Sequence, residues 1–416
     1  MRSSTLSALD VALEIADRLR HAALRHAGRC TWLGHDNVEM PPGRSLVPTV
    51  RSASGELYAG TSGIALFFAE LYALAPGDAL ADLLREAIAH AHATVPAAPG
   101  LYTGRAGIGY ASVRAGEVLE DPALVREGMH AIANAAAACE ATRAFDVMSG
   151  HAGIVLAAAA LAANHRELVA CVVGGTRALL DAGQQRGERW TLPHALLSPG
   201  TRCEHALTGL SHGLSGIALA LIASHRTTGD GASAAAARGA LASEDDWFVP
   251  ERANWPDLRE VAVRTLADVG DRMALVCGET WCHGAPGIAA VRAYAARHLA
   301  VRRHLADALR TTAAALDRWE PGFDVCLCHG GLGLAECALV ATGRSRAKPM
   351  IAMRARATRA IAKIVAAHRP DPWWPSGLPS HGPSPSLMMG MAGVGHQLLR
   401  LAAPDRVRSI AILAPD

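Results

Sequence analysis

Along this chain, long segments that are apolar on nearly every side alternate with amphipathic segments carrying Arg on one face, which is the pattern of buried helices alternating with surface helices. The alternation follows a phrase that occurs seven times: Tyr58-Ala-Gly-Thr-Ser-Gly-Ile64, Tyr102-Thr-Gly-Arg-Ala-Gly-Ile108, Met148-Ser-Gly-His-Ala-Gly-Ile154, Ser211-His-Gly-Leu-Ser-Gly-Ile217, Cys282-His-Gly-Ala-Pro-Gly-Ile288, Cys328-His-Gly-Gly-Leu-Gly-Leu334 and Met388-Met-Gly-Met-Ala-Gly-Val394. The first glycines stand between 44 and 71 residues apart, room for two helices and their connections per repeat. Paired glycines three apart, at the entrance of a buried helix, allow tight turns and close backbone approach. The expected architecture is all-α, a closed ring of helical hairpins. A linear solenoid would end in a polar capping repeat, whereas the last copy here, Met388 to Leu401, stays apolar.

Two intervals stand apart. The stretch from Thr227 to Asp245 is small, polar and rich in Ala, Gly and Ser, and reads as an exposed insertion. The stretch from Arg369 to Ser386, with several Pro and the pair Trp373 and Trp374, reads as an ordered irregular loop. Neither forms a second domain, so the reading is one domain over residues 1–416. The N-terminal segment up to Arg20 places Asp10, Glu14 and Asp17 where a signal peptide needs an apolar core, and reads as an amphipathic helix.

Composition narrows the function classes. Hydrophobic residues make up 50% of 416, but aromatic residues only 4%, so Ala, Leu, Val and Gly fill the core. Forty basic against thirty-eight acidic side chains leave +2, with Lys348 and Lys363 the only lysines, which is neither a nucleic-acid footprint nor a polybasic membrane anchor. No apolar run reaches the roughly 20 residues of a bilayer span. Nine cysteines, an odd number scattered over a long chain, suit a reducing cytoplasm.

If the seven phrases are equivalent in space, equal offsets converge. At two residues before the first glycine stand Tyr58, Tyr102, Met148, Ser211, Cys282, Cys328 and Met388; at one before stand Ala59, Thr103, Ser149, His212, His283, His329 and Met389. Three consecutive repeats thus bring His212, Cys282, His283, Cys328 and His329 to one end of the ring. Thiolate and imidazole together select zinc, and three protein ligands with a fourth position open mark a catalytic site. Cys326, two residues before Cys328, is a rival ligand, although it breaks the shared register. The remaining cysteines, 30, 139, 171, 203, 277 and 337, read as small apolar side chains or inert thiols. Asp146, four residues before Gly150, has two readings of equal weight: a carboxylate orienting a ligand or a histidine, or a helix N-cap.

With these residues laid out, the chain resembles the lanthionine synthetase C-like (LanC) cyclase family over nearly its whole length. Trp281-Cys-His-Gly-Ala-Pro-Gly-Ile288 and Leu327-Cys-His-Gly330 resemble its two zinc motifs, Asp146-Val-Met-Ser-Gly150 its aspartate motif, and Ser211-His-Gly213 its catalytic-histidine motif. Thr31-Trp-Leu-Gly34, Asn254-Trp-Pro-Asp-Leu-Arg259, Pro385 to Gly395 and Arg406-Val-Arg-Ser409 resemble the cyclase portion of class II lanthipeptide synthetases (LanM), here without the dehydratase domain that precedes it in those enzymes. The resemblance implies an α/α toroid of seven inner and seven outer helices. It also implies zinc held by Cys282, Cys328 and His329, with His212 and Asp146 as acid/base residues. The chain departs from the family at Gly278, where some members have Arg, and at His283, where many have Tyr; His283 stays open as a second acid, a substrate contact or a packed neighbour.

The activity implied is Michael-type addition of a peptide cysteine to dehydroalanine or dehydrobutyrine, closing a thioether ring. The implied partner is a dehydrated precursor peptide supplied by a separate dehydratase, since the chain has no G-x-x-x-x-G-K-[ST] phosphate cradle. Two other readings compete: a zinc-dependent prenyltransferase, which the low aromatic content disfavours, and a non-catalytic scaffold binding thiol peptides.

Overall fold

The computed structural model describes residues 7–40, 45–96, 98–139, 142–192, 205–259, 261, 265–322, 324–380 and 382–415; Met1 to Leu6 and Cys203 lie outside the described residues. Seven helices start at the first glycine of the seven phrases: α2 (Thr61–Leu74), α4 (Arg105–Val118), α6 (His151–Leu161), α8 (Leu214–Thr228), α10 (Ala285–His298), α12 (Gly331–Thr342) and α14 (Met391–Ala402). In α6 every residue is buried, and the first eleven of α2, α8 and α10 are as well. Such helices are surrounded by protein on all sides. The second glycine of the phrase has a steric cause: a Cβ on Gly63 would lie 2.1 Å from Leu57 O, and one on Gly333 would lie 1.9 Å from Leu327 O. Each phrase folds back over its own helix start, and only glycine fits.

Among the described residues, seven further α-helices are α1 (Ala8–Ala22), α3 (Asp78–Ala93), α5 (Pro122–Cys139), α7 (Val169–Ala182), α9 (Gly231–Asp245), α11 (Leu305–Arg318) and α13 (Lys348–His368). They are buried along one stripe only; α1 turns Val11, Ala12, Ile15, Ala16 and Leu19 inward, and its Ser7 and Asp10 form a capping box. The phrase-borne helices touch in the order α2, α4, α6, α8, α10, α12, α14 and back to α2. Each also carries one outer helix, with α1 on α14 and α3, α5, α7, α9, α11 and α13 on their preceding neighbours. The α14 to α2 contact closes the ring and excludes the open solenoid.

The segment 227–245 is not an exposed insertion. Asp230 caps α9 by accepting from the amides of Ala232 and Ser233, and Ala234, Ala236, Ala237, Ala240, Leu241 and Glu244 are buried against α8. Its small side chains serve close packing: a Cβ on Gly239 would meet Trp190 at 2.7 Å. The all-α reading also omits three antiparallel hairpins, β1 (Leu24–His26) with β2 (Arg29–Thr31), β3 (Leu33–Met40) with β4 (Ser45–Ser52), and β5 (Gln184–Arg186) with β6 (Arg189–Thr191). Residues 369–386 carry no helix or strand where described, as their Pro content implies. After α14, a segment with Val407, Ile410, Ala411 and Leu413 buried takes hydrogen bonds from Tyr102 to Ile410 O and from Trp281 to Ala411 O, tying the second and fifth phrases together.

Candidate functional site

The phrases meet through their backbones. Tyr58 N donates to Tyr102 O, Tyr102 N to Met148 O, Ser211 N to Cys282 O, Cys282 N to Cys328 O, Cys328 N to Met388 O, and Met388 N to Tyr58 O. Residues two before the first glycine therefore follow one another around one rim of the ring, and those one before stand beside them. Periodicity in the sequence has become adjacency in space.

On this rim, Asp146 faces a histidine and is not the N-cap of α6, which is Gly150 without a side-chain cap bond. Its Oδ1 accepts from Ser149 N at 2.7 Å and Ser149 Oγ at 3.0 Å, which fixes the turn into α6, and its Oδ2 accepts from Nδ1 of His212 at 2.6 Å. Asp146 is 2% exposed, while the His212 side chain keeps 27% of its surface open. A buried carboxylate on Nδ1 sets the tautomer and leaves Nε2 for a partner outside. The ring of His283 stacks toward His212 with centroids 6.3 Å apart. Burial pushes the His283 imidazole down to about 4, and its Nδ1 has no hydrogen-bond partner. Held neutral at pH 7, it fits a packed neighbour better than a second acid.

Cys282 and Cys328 are neighbours on the rim, where Cys282 N donates to Cys328 O. The Cys328 thiol draws Cys282 down to about 6 against the opposing effect of burial, with Thr280 Oγ1 3.3 Å from Cys282 Sγ adding to the stabilisation. Cys328 is pushed well up by its Cys282 neighbour and by burial. Asn254 pins this loop on both sides: its Oδ1 accepts from Ala285 N at 2.7 Å and its Nδ2 donates to Gly278 O at 3.0 Å. A Cβ on Gly278 would lie 2.6 Å from His283 O, so this loop has no room for the arginine expected in some relatives.

His329 turns its Nε2 to Gly377 O at 2.8 Å and to Asp324 Oδ2 at 3.0 Å. The Asp324 carboxylate raises the imidazole above its ordinary range; burial would raise Asp324 in turn, but the His329 hydrogen bond and the Cys326 amide hold it low. Among the described residues, Asp324, Cys326 and His329 form a group whose ligand atoms all lie within 4.8 Å of one another. The structure thus groups His329 with the rival Cys326 and Asp324, and among the described residues Cys282, Cys328 and His329 do not form such a group. Burial and the adjacent Asp324 charge push the Cys326 thiol far up, as its Cys282 neighbour and burial do for Cys328. A carboxylate on the far nitrogen of an imidazole is the usual companion of a metal-binding histidine. The donor set therefore suits zinc, with Asp324 orienting His329. Asp324 and Gly377 lie outside the register of the phrase, and the Asp-x-Cys-x-Cys-His run from Asp324 to His329 is the sequence signal for the first.

No helix among the described residues is long and apolar enough to cross a membrane. Similarities to known proteins agree with this layout. No curated protein sequence matches the chain. Among solved structures, nisin cyclase superposes with a TM-score of 0.63 at 17% identity, covering 87% of this chain and 92% of its own. An unsaturated glucuronyl hydrolase from Bacillus sp. GL1, responsible for the degradation of glycosaminoglycan, reaches 0.50 at 11% identity, covering 98% of this chain and 97% of its own. Both likenesses concern the fold. The family model for lanthionine synthetase C-like protein matches residues 51–412, which contain all seven glycine phrases and the whole rim just described. The chain belongs to the lanthionine synthetase C-like family.

Proposed function

We propose that this protein is a zinc-dependent lanthipeptide cyclase that closes thioether rings in a dehydrated peptide. The observation that carries the reading is the Asp146 and His212 pair, 2.6 Å apart, on the same rim as the Cys282 and Cys328 thiols. Zinc would be held by Cys282, Cys328 and His329, and when bound it supplies a Lewis acid that favours the thiolate form of an incoming peptide cysteine.

The chain's own residues supply the remainder. As the substrate sulfur bonds to Cβ of the dehydro residue, the Cα–Cβ π pair moves toward the carbonyl as an enolate. His212 delivers a proton from Nε2 to Cα, and Asp146 holds the imidazole in the tautomer and direction that this requires. The proton given up by the thiol balances the one added, so the reaction is an isomerisation needing no oxidant or ATP. His283 packs against this pair. The dehydrated peptide comes from a separate dehydratase, and the thiols remain reduced in a cytoplasmic setting.

Substitution of His212 tests the division of labour. His212→Asn should keep its zinc, measured by elemental analysis, and still bind peptide, while ring closure slows by about 10²–10⁴-fold, the usual contribution of general acid catalysis. An unaltered rate would transfer the proton donor's role to another group.

A further inference from the structure

Behind His212, on the side away from the rim opening, lies a buried carboxylate with no part in the reaction so far. Glu244, in the last turn of α9, is fully buried. Its Oε1 accepts from Gly209 N at 3.0 Å and Ser215 N at 3.1 Å, and its Oε2 accepts from Ser215 Oγ at 2.6 Å and Arg292 Nη2 at 3.0 Å. Gly209 stands three residues before His212 and Ser215 three after, so one carboxylate grips both flanks of the histidine turn.

The grip reaches the neighbouring phrase. Arg292 belongs to α10, the helix that follows the Cys282 turn, and its guanidinium lies over the Trp255 ring at 4.7 Å, while Trp255 Nε1 donates to Glu244 O at 3.1 Å. Gly209 itself has φ +96, and a Cβ there would lie 3.0 Å from Cys282 O. The two turns are thus in backbone contact in front and joined through Glu244 and Arg292 behind. Burying a carboxylate is expensive, and this one is placed in an outer helix to accept from two amides of the inner turn.

We infer that Glu244 is a positioning residue for His212: by accepting from Gly209 N and Ser215 N–H it fixes the His212 turn relative to the Cys282 turn. This rests on the reading of His212 as the proton donor, and the effect runs through the backbone rather than through contact with substrate. Glu244→Gln keeps an acceptor for both amides, while its NH2 faces Ser215 Oγ and Arg292 Nη2, and Arg292 keeps Asp245 as its partner at 2.7 Å. Glu244→Leu keeps the volume and removes the acceptor. A packing role would leave the two variants alike, and a role for the charge would impair both.

The test uses the full chain loaded with zinc, with amide hydrogen exchange over residues 205–217 and the kcat and KM of ring closure on a dehydrated peptide. In Glu244→Leu the Gly209 and Ser215 amides should exchange at least about tenfold faster and kcat should fall about 10–10²-fold with KM held within about twofold, as expected for a misplaced catalytic group. Glu244→Gln should restore the protection and most of kcat. Equal exchange and equal kcat in the two variants would overturn the inference. Should Glu244→Leu fail to fold, Ser215→Ala takes its place: faster exchange at Gly209 with zinc retained supports the grip, and unchanged exchange with unchanged kcat contradicts it. If the parent protein closes no ring in any dehydrated peptide, the proposed function falls while the exchange comparison still decides on Glu244.

Discussion

Asp146 meets His212 through one oxygen and its own turn through the other, so its removal should act on catalysis through the histidine alone. Asp146→Asn should slow ring closure less than His212→Asn, and the double variant should cost little more than His212→Asn, because two groups acting as one unit are not additive. Rates of the four proteins in a double-mutant cycle check this; fully additive losses would assign Asp146 an independent task. The two thiol neighbourhoods give a second test. Cys328→Ala should lose zinc, whereas Cys326→Ala, whose thiol is buried beside Asp324, should retain one zinc per chain by elemental analysis. Five of the side chains at issue, His212, Cys282, His283, Cys328 and His329, were legible in the sequence because they share an offset in a repeat. Asp324 and Glu244 were not, since each lies outside that register and only the folded chain brings it to its partners.

The glycine phrase explains why the inner helices could be foreseen. Its first glycine opens each helix, and its second admits the carbonyl six residues earlier, so both the start and the packing follow from a local pattern. Helix α9 could not be foreseen in this way. A run of Ala, Gly and Ser looks polar and loose by composition, but in a crowded ring small residues are what permit a helix to approach Trp190 and the back of α8. The hairpins were missed for the opposite reason: β1 with β2 and β5 with β6 are three-residue strands, too short for any alternation to register. Buried helices also carry a pH cost. His396 in α14 is 1% exposed, and burial, with the Arg400 charge adding, pushes it down to about 3. The unfolded chain takes up a proton near the ordinary histidine value of about 6.5 that the native state refuses. Its contribution to stability is therefore present above about 6.5 and is lost as pH falls toward 3. Thermal melts between pH 7 and 4 should show a shallower decline in Tm for His396→Leu than for the parent; parallel curves would remove His396 from the acid sensitivity.

In the whole molecule, the closed ring converts seven sequence repeats into one rim, and the rim joins chemistry from three consecutive repeats with a carboxylate from a fourth. Closure matters for function because the first phrase must sit beside the last: Met388 N donates to Tyr58 O at 2.9 Å, completing that side of the circle next to Cys328. Closure of thioether rings by this chain can be measured by incubating the zinc-loaded protein with a peptide containing cysteine and dehydroalanine. Ring closure leaves the mass unchanged, so unreacted thiols are capped with an alkylating reagent and counted by mass spectrometry. Alkylatable thiol should disappear at a rate well above that of peptide alone, without ATP and with no change in peptide mass before capping. Thiols that remain fully alkylatable, at the rate seen without the protein, would contradict this activity.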